Sequence, residues 1–182
     1  MTLDLLAERG AVLSGHFLLT SGKHSDVYVE KARLLEDPDL VMRLAGEIAS
    51  WYERVEAVVS PAVGAIPLGF AVAGAAGARF LYAEREDGRM TLRRGFSLSE
   101  GERALVVEDV VTTGGSAREV WDLVRAAGAE GLGVAAMVDR TAGAVGFPLR
   151  ALVRVEARVF APERCPLCAS GEPLVGRGSR HL

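Results

Sequence analysis

The spacing of apolar residues changes character along the chain. From Leu3 to Leu13 they recur at helical intervals (Leu3, Leu6, Val12, Leu13 among charged residues), which predicts a short helix. From Ser14 to Leu35 the pattern is different. Phe17-Leu18-Leu19-Thr20 and Val27-Tyr28-Val29 flank the polar turn Ser21-Gly22-Lys23-His24-Ser25, so two extended segments around a glycine turn are expected. Pro38 then opens an amphipathic helix whose apolar positions Leu40, Leu44, Ile48 and Trp51 lie about one turn apart.

Further on, the rhythm is strand then helix. Ala57-Val58-Val59, Phe80-Leu81-Tyr82, Ala104-Leu105-Val106-Val107 and Leu132 to Val138 are apolar runs. Pro67 to Gly77 and Ser116 to Ala127 read as helices, the second ending at Gly128. Continuous apolar strands alternating with helices predict an α/β fold, a central parallel sheet flanked by helices on both faces. Residues 84–101 are charged and punctuated by glycine, with Met90-Thr91-Leu92 as a hairpin arm. From Cys165 the chain is rich in Gly, Pro and Arg and is expected to be loosely ordered. No internal repeat is present, and the whole of 1–182 reads as one domain, with 1–35 a small N-terminal segment and 165–182 a tail.

Composition narrows the class. With 49% hydrophobic and 25% charged residues in 182, the chain has the ordinary balance of a globular domain. Lys plus Arg is 21 and Asp plus Glu is 24, a net charge of −3, which argues against a nucleic-acid partner. No run approaches the ~18–20 apolar residues of a membrane span. Met1-Thr2-Leu3-Asp4 lacks the basic-then-apolar pattern of a secretory leader, so a cytoplasmic location is expected. Cys165 and Cys168 alone make no disulfide framework. Asn and Gln do not occur, and Lys stands only at Lys23 and Lys31. A thermophilic origin and a GC-rich genome account for this equally well. Without side-chain amides, a ligand carboxylate must be read by Arg, hydroxyls or backbone.

The chemistry concentrates in Ala104-Leu105-Val106-Val107-Glu108-Asp109-Val110-Val111-Thr112-Thr113-Gly114-Gly115-Ser116. An apolar strand ends in two carboxylates, a hydroxyl- and glycine-rich turn follows, and a helix begins. The turn offers converging N–H groups, close backbone approach and the positive end of a helix, which suit a phosphate. The acid pair would repel a phosphate but can hold sugar hydroxyls at the C-terminal edge of a sheet. A ligand with a phosphate at one end and a diol at the other satisfies both, which describes a ribose 5-phosphate. The segment is neither a Walker loop nor a Gly-x-Gly-x-x-Gly turn.

Val106 to Ser116 resembles the phosphoribosyl-diphosphate (PRPP) signature of the type I phosphoribosyltransferases. Within them, Gly15-His16-Phe17-Leu18-Leu19-Thr20-Ser21-Gly22-Lys23-His24-Ser25 is similar to the opening Gly-x-Phe-x-Leu-x-Ser-Gly pattern of the orotate phosphoribosyltransferase family. Pro61-Ala62-Val63-Gly64-Ala65-Ile66-Pro67 is similar to that family's diphosphate-contacting loop, and Asp139-Arg140 agrees as well. The resemblance implies a type I phosphoribosyltransferase-like fold with a small N-terminal hood. It implies transfer of phosphoribose from PRPP to orotate, giving orotidine 5′-monophosphate and diphosphate in pyrimidine biosynthesis, with Mg²⁺ as cofactor and a homodimer as the assembly. On this resemblance PRPP is held by Glu108, Asp109, Val110, Val111, Thr112, Thr113, Gly114, Gly115 and Ser116, the two acids on the ribose hydroxyls. Orotate is contacted by Thr112, Arg140, Lys23 and Tyr28. A guanidinium fork independently suits the pyrimidine carboxylate.

The chain departs from the family in two places. Many members carry a mobile loop with Lys and His over the active site; here Glu84 to Gly95 has four Arg and neither Lys nor His. Arg85 and Arg89 are expected to neutralise the departing diphosphate and, with Asp109, to be the catalytic residues. Thr20 stands where many members have Lys, leaving Lys23 as the nearest cation. Cys165-Pro166-Leu167-Cys168 supplies two of the four ligands a structural zinc needs; His181 adds at most a third, so no metal-ligating residues are assigned. His16 and His24 read as substrate contacts or turn residues. A purine phosphoribosyltransferase on the same scaffold is disfavoured by Arg140 and the Gly15–Ser25 segment. A PRPP-sensing nucleic-acid regulator is disfavoured by the negative charge and the lack of length for another module.

Overall fold

The computed structural model describes residues 3–19 and 21–176, so Thr20, His181 and the end of the tail lie outside it. The chain opens with α1 (Leu3–Glu8), β1 (Val12–Leu18), β2 (His24–Val29), α2 (Ala32–Leu35) and α3 (Pro38–Ala49). There follow β3 (Ala57–Pro61), α4 (Ile66–Ala76), β4 (Arg79–Glu86), β5 (Arg89–Leu92), β6 (Arg103–Val111), α5 (Gly115–Ala126), β7 (Glu130–Asp139) and β8 (Leu149–Arg154). The C-terminal segment contains β9 (Val159–Phe160), a 3₁₀ turn, α6 (Pro166–Ala169) and β10 (Val175–Gly176).

β3, β4, β6, β7 and β8 are parallel, and β5 adds an antiparallel edge, in the order β5-β4-β3-β6-β7-β8. Strand alternation buries both faces. Val58, Leu105, Val107, Ala135 and Met137 join one core with α3 and α4, whereas Ala57, Val59, Ala104, Val106 and Val134 join a second core under α5. α3 starts where Pro38 presets the first turn and the Asp37 carboxylate accepts from Leu40 N at 3.0 Å. Leu40, Leu44 and Ile48 are buried as expected, while Trp51 falls beyond the helix end.

Four readings of the sequence are corrected. The first helix stops at Glu8, because Gly10 turns the chain at φ +63° and delivers Val12 and Leu13 into β1. The apolar run ending at Val107 continues as strand through the acid pair to Val111. β8 is a further strand beyond the expected runs, buried only at the adjacent Leu152 and Val153. The described part of the tail is ordered rather than loose: β10 pairs with β1 and β9 with β2, making a second sheet in the order β10-β1-β2-β9. The N-terminal hood is therefore closed by the far end of the chain.

Candidate active site

β6 leaves the sheet with Glu108 and Asp109 on opposite faces, one strand position apart. Asp109 is 3% exposed; its Oδ1 accepts from Val110 N at 2.6 Å and its Oδ2 forms a short ion pair with Lys31 Nζ. Lys31 stands two residues beyond the end of the hood strand β2, so this pair joins hood to sheet. The loop after β3 comes up beside it. A side chain at Gly64 would run into Lys31 Nζ and Asp109 Oδ2, so glycine keeps this space open. The result is a crevice of about 290 Å³ lined by Lys31, Pro61–Gly64, Glu108–Val110 and Ser116.

Glu108 is 8% exposed and has one described partner, accepting from Asp109 N at 3.1 Å. Burial, reinforced by the adjacent Asp109 charge, pushes its carboxyl up to about 8. Glu108, with a single donor, keeps acceptor capacity for hydroxyl groups beside the paired Asp109. Next to them Val110 to Ala117 curl around a small depression of about 70 Å³, which also has Glu108 on its wall. Gly114 sits at φ +78° at the start of α5, and a methyl there would lie 3.2 Å from Val145 and Phe147. Thr112 and Thr113 are exposed at the rim. Free N–H groups, two threonines and a helix start surround a space of roughly two waters, the dimensions of a phosphate cradle.

Arg140 follows β7, its N–H donating to Val111 O at 2.8 Å across the strand ends. Its Nη2 donates to Val27 O at 2.9 Å and to Ser25 Oγ at 3.3 Å, which seats the guanidinium under hood strand β2. Burial lowers its proton affinity, and Nε is buried without a partner among the described residues. Tyr28 lies on the same strand, half-buried, with its ring 5.7 Å from that of Phe17. The structure thus brings Arg140 and Tyr28 to one hood strand and the acid pair to the adjoining sheet edge.

Lys23 is not brought to this cluster by any described contact; it is exposed on the turn between β1 and β2. The 84–95 segment is a hairpin of β4 and β5 turning at Asp87-Gly88. Arg85 grips Glu119 of α5 with two bonds of 2.7 and 3.1 Å, which hold the Glu119 carboxyl below its usual range, and Arg94 pairs with Glu84 at 2.8 Å. Arg89 is exposed, with no side-chain partner among the described residues. Sequence reasoning missed Lys31. Its one available signal was rarity, since a chain that uses Arg almost everywhere has Lys at only two positions.

Residues 33–146 match the phosphoribosyl transferase domain family. The match takes in β3 to β7 of the central sheet, the acid pair and Arg140, and leaves out β8, the hood strands and the tail. Relatives resemble the chain over those segments too. It is 48% identical over 182 residues to a Pelotomaculum thermopropionicum protein named orotate phosphoribosyltransferase, an alignment spanning 98% of this chain and 96% of the other. The chain belongs to the orotate phosphoribosyltransferase family. A Thermotoga petrophila orotate phosphoribosyltransferase is 46% identical over the full length of both chains. The crystal structure of orotate phosphoribosyltransferase from Aeropyrum pernix superposes with a TM-score of 0.65 at 29% identity, covering 85% of this chain and 94% of that one. Among the described residues, no helix of this orotate phosphoribosyltransferase family member is long and apolar enough to cross a membrane.

Proposed function

We propose that the chain transfers the phosphoribosyl group of PRPP to orotate, yielding orotidine 5′-monophosphate and diphosphate. The observation that carries this reading is Arg140: a half-buried guanidinium under the hood, whose Nε is buried and unpartnered among the described residues, on the edge that also holds the acid pair. A buried donor without an acceptor is costly, and a pyrimidine carboxylate offers the planar pair of acceptors that a guanidinium fork fits. A purine offers no carboxylate. Tyr28 and Thr112 flank the base in this reading, and Lys23 contributes positive charge from the hood turn.

The phosphate end of PRPP lies in the Val110–Ser116 turn, and Glu108 and Asp109 accept from the ribose 2′ and 3′ hydroxyls. Lys31 then exchanges Asp109 for the diphosphate, which the open backbone at Gly64 admits. In the reaction the orotate ring nitrogen bonds to the anomeric carbon as the carbon–oxygen bond to diphosphate breaks; diphosphate leaves with the electron pair and takes up the proton released from that nitrogen. The anomeric carbon gains positive character, so the Asp109 carboxylate stabilises it, and cations stabilise the leaving group. The donors at the crevice are two hard carboxylates rather than a full cage, which fits a Mg²⁺ that keeps substrate oxygens and water as most of its ligands. Glu108 and Asp109 are the residues that would hold Mg²⁺, which when bound would supply positive charge against the diphosphate.

Arg89 and Arg85 complete the catalytic set from the β4–β5 hairpin. Arg89 is free to do so; Arg85 must first release Glu119. An exposed arginine without a partner among the described residues, at the tip of the hairpin, supports a homodimer in which one subunit's hairpin reaches the other's crevice. The site resides in a protein of the cytoplasm that handles small molecules, without nucleic-acid or membrane partners. The test is to supply PRPP, Mg²⁺ and orotate and follow the loss of orotate absorbance, with Asp109→Asn as control. Turnover of adenine with orotate inert would overturn the reading, as would orotate consumption no faster than in the control.

A further inference from the structure

The hood and the tail meet at four side chains that the PRPP chemistry does not use. His16 on β1, His24 at the start of β2, and Cys165 and Cys168 at the ends of the short C-x-x-C turn place one ligand atom each within 4.8 Å of all the others. The structure corrects the expectation that nothing completes the cysteine pair. The missing ligands come from residues about 150 positions away, and neither histidine is a surface turn residue: His16 is 2% and His24 5% exposed.

We infer that His16, His24, Cys165 and Cys168 form a structural zinc site. Tetrahedral Zn²⁺, with bonds of about 2.0–2.1 Å to nitrogen and about 2.3 Å to sulfur, separates its ligand atoms by about 3.3–3.8 Å. Cys165 Sγ lies 3.4 Å and Cys168 Sγ 3.6 Å from His16 Nε2, and Cys168 Sγ lies 3.3 Å from His24 Nδ1. The two imidazole nitrogens are 2.9 Å apart, so they need to open by only a few tenths of an ångström to share one ion.

The surroundings are those of a metal ligand set. His16 Nδ1 is 2.8 Å from Glu172 O, a carbonyl that can only accept. The ring proton therefore sits on Nδ1, and the Nε2 lone pair is aimed into the cluster, the outer-sphere arrangement typical of metal-bound histidine. Three of the four ligands are buried, with Cys168 at the rim. Two thiolates and two imidazoles suit a borderline-soft divalent ion, and four protein ligands leave no open position for a reacting molecule. The ion has a mechanical role. The two-residue strands β9 and β10 are short anchors for the tail, and the site binds that tail across β1 and β2. β2 also carries the Ser25 and Val27 groups that seat Arg140, so zinc braces the strand over the base end of the crevice.

The inference stands on these four residues and is independent of which base is used. The full chain, expressed with zinc in the medium and desalted, is expected to retain one zinc per chain. Replacing it with Co²⁺ is expected to give the ligand-field bands of a tetrahedral site and thiolate-to-cobalt charge transfer. Cys168→Ser, at the exposed ligand, should lose the charge-transfer intensity of that thiolate and most of the bound metal. A chelator should lower the melting temperature of the wild type by about 10 °C and leave that of Cys168→Ser unchanged. Zinc-free protein with two titratable thiols, a mass two hydrogens lighter from a Cys165–Cys168 disulfide, or a cobalt spectrum unaltered by Cys168→Ser would each overturn it.

Discussion

The Lys31–Asp109 ion pair tests how the crevice is built. Asp109 has 5% of its side chain exposed and Lys31 has 42%, so the pair is half in solvent. Two unit charges about 4 Å apart at an effective dielectric of ~20 attract by about 4 kcal/mol, from which solvation of the exposed ammonium and its side-chain entropy subtract. Lys31→Met leaves a nearly buried carboxylate without its counter-charge, and a net loss of about 1–2 kcal/mol is expected. For a chain of this size that is a fall in melting temperature of about 3–6 °C. The loss should vanish when Asp109→Asn is already present, because the charge that Lys31 neutralises is gone; a double-mutant cycle by thermal or urea unfolding measures this coupling. The same substitution should raise the KM for PRPP by roughly 10- to 100-fold, the value of one charge-assisted hydrogen bond to the diphosphate. Lys23→Met is the control for losing a surface lysine. Equal costs of Lys31→Met in both backgrounds, together with an unchanged KM for PRPP, would refute the reasoning.

The Glu108 carboxyl, raised in the fold from 4.5 to about 8, binds a proton more tightly folded than unfolded, so stability falls as pH rises between those values. Glu108→Gln removes this penalty: unfolding curves should show a variant on the order of a few kcal/mol more stable at pH 8.5, losing the advantage toward pH 5, while PRPP turnover collapses. Parallel stability profiles for the two proteins would contradict this. Arg140→Lys keeps the charge and loses the planar fork, so steady-state kinetics should show the KM for orotate up by roughly 10- to 100-fold with that for PRPP little changed. Arg89→Ala and Asp109→Asn are each expected to be nearly inactive. Mixed so that subunits exchange, they should recover about a quarter of wild-type activity, because one site per hybrid dimer is intact; no recovery would exclude a hairpin that serves the neighbouring crevice.

Sequence alone sufficed wherever the decisive interactions are local. The strand–acid pair–glycine turn–helix segment is contiguous from Ala104 to Ser116, so the acid pair at a strand end and the glycine turn opening a helix could be read from residue order. The parallel sheet was legible for the same reason, since strands buried on both faces must be apolar at every position. Boundaries failed where a backbone angle decided them, as at Gly10, or where polar residues continued a strand, as Glu108 and Asp109 do in β6. The tertiary structure alone decided everything that joins distant segments. It set Lys31 on Asp109 across 78 residues, committed Arg85 to Glu119, hung Arg140 from the hood, and carried Cys165 and Cys168 to His16 and His24. A side chain's partner depends on where the backbone returns, and residue spacing in the chain has no bearing on that; two cysteines three positions apart look like half a metal site until β1 and β2 bring the other half.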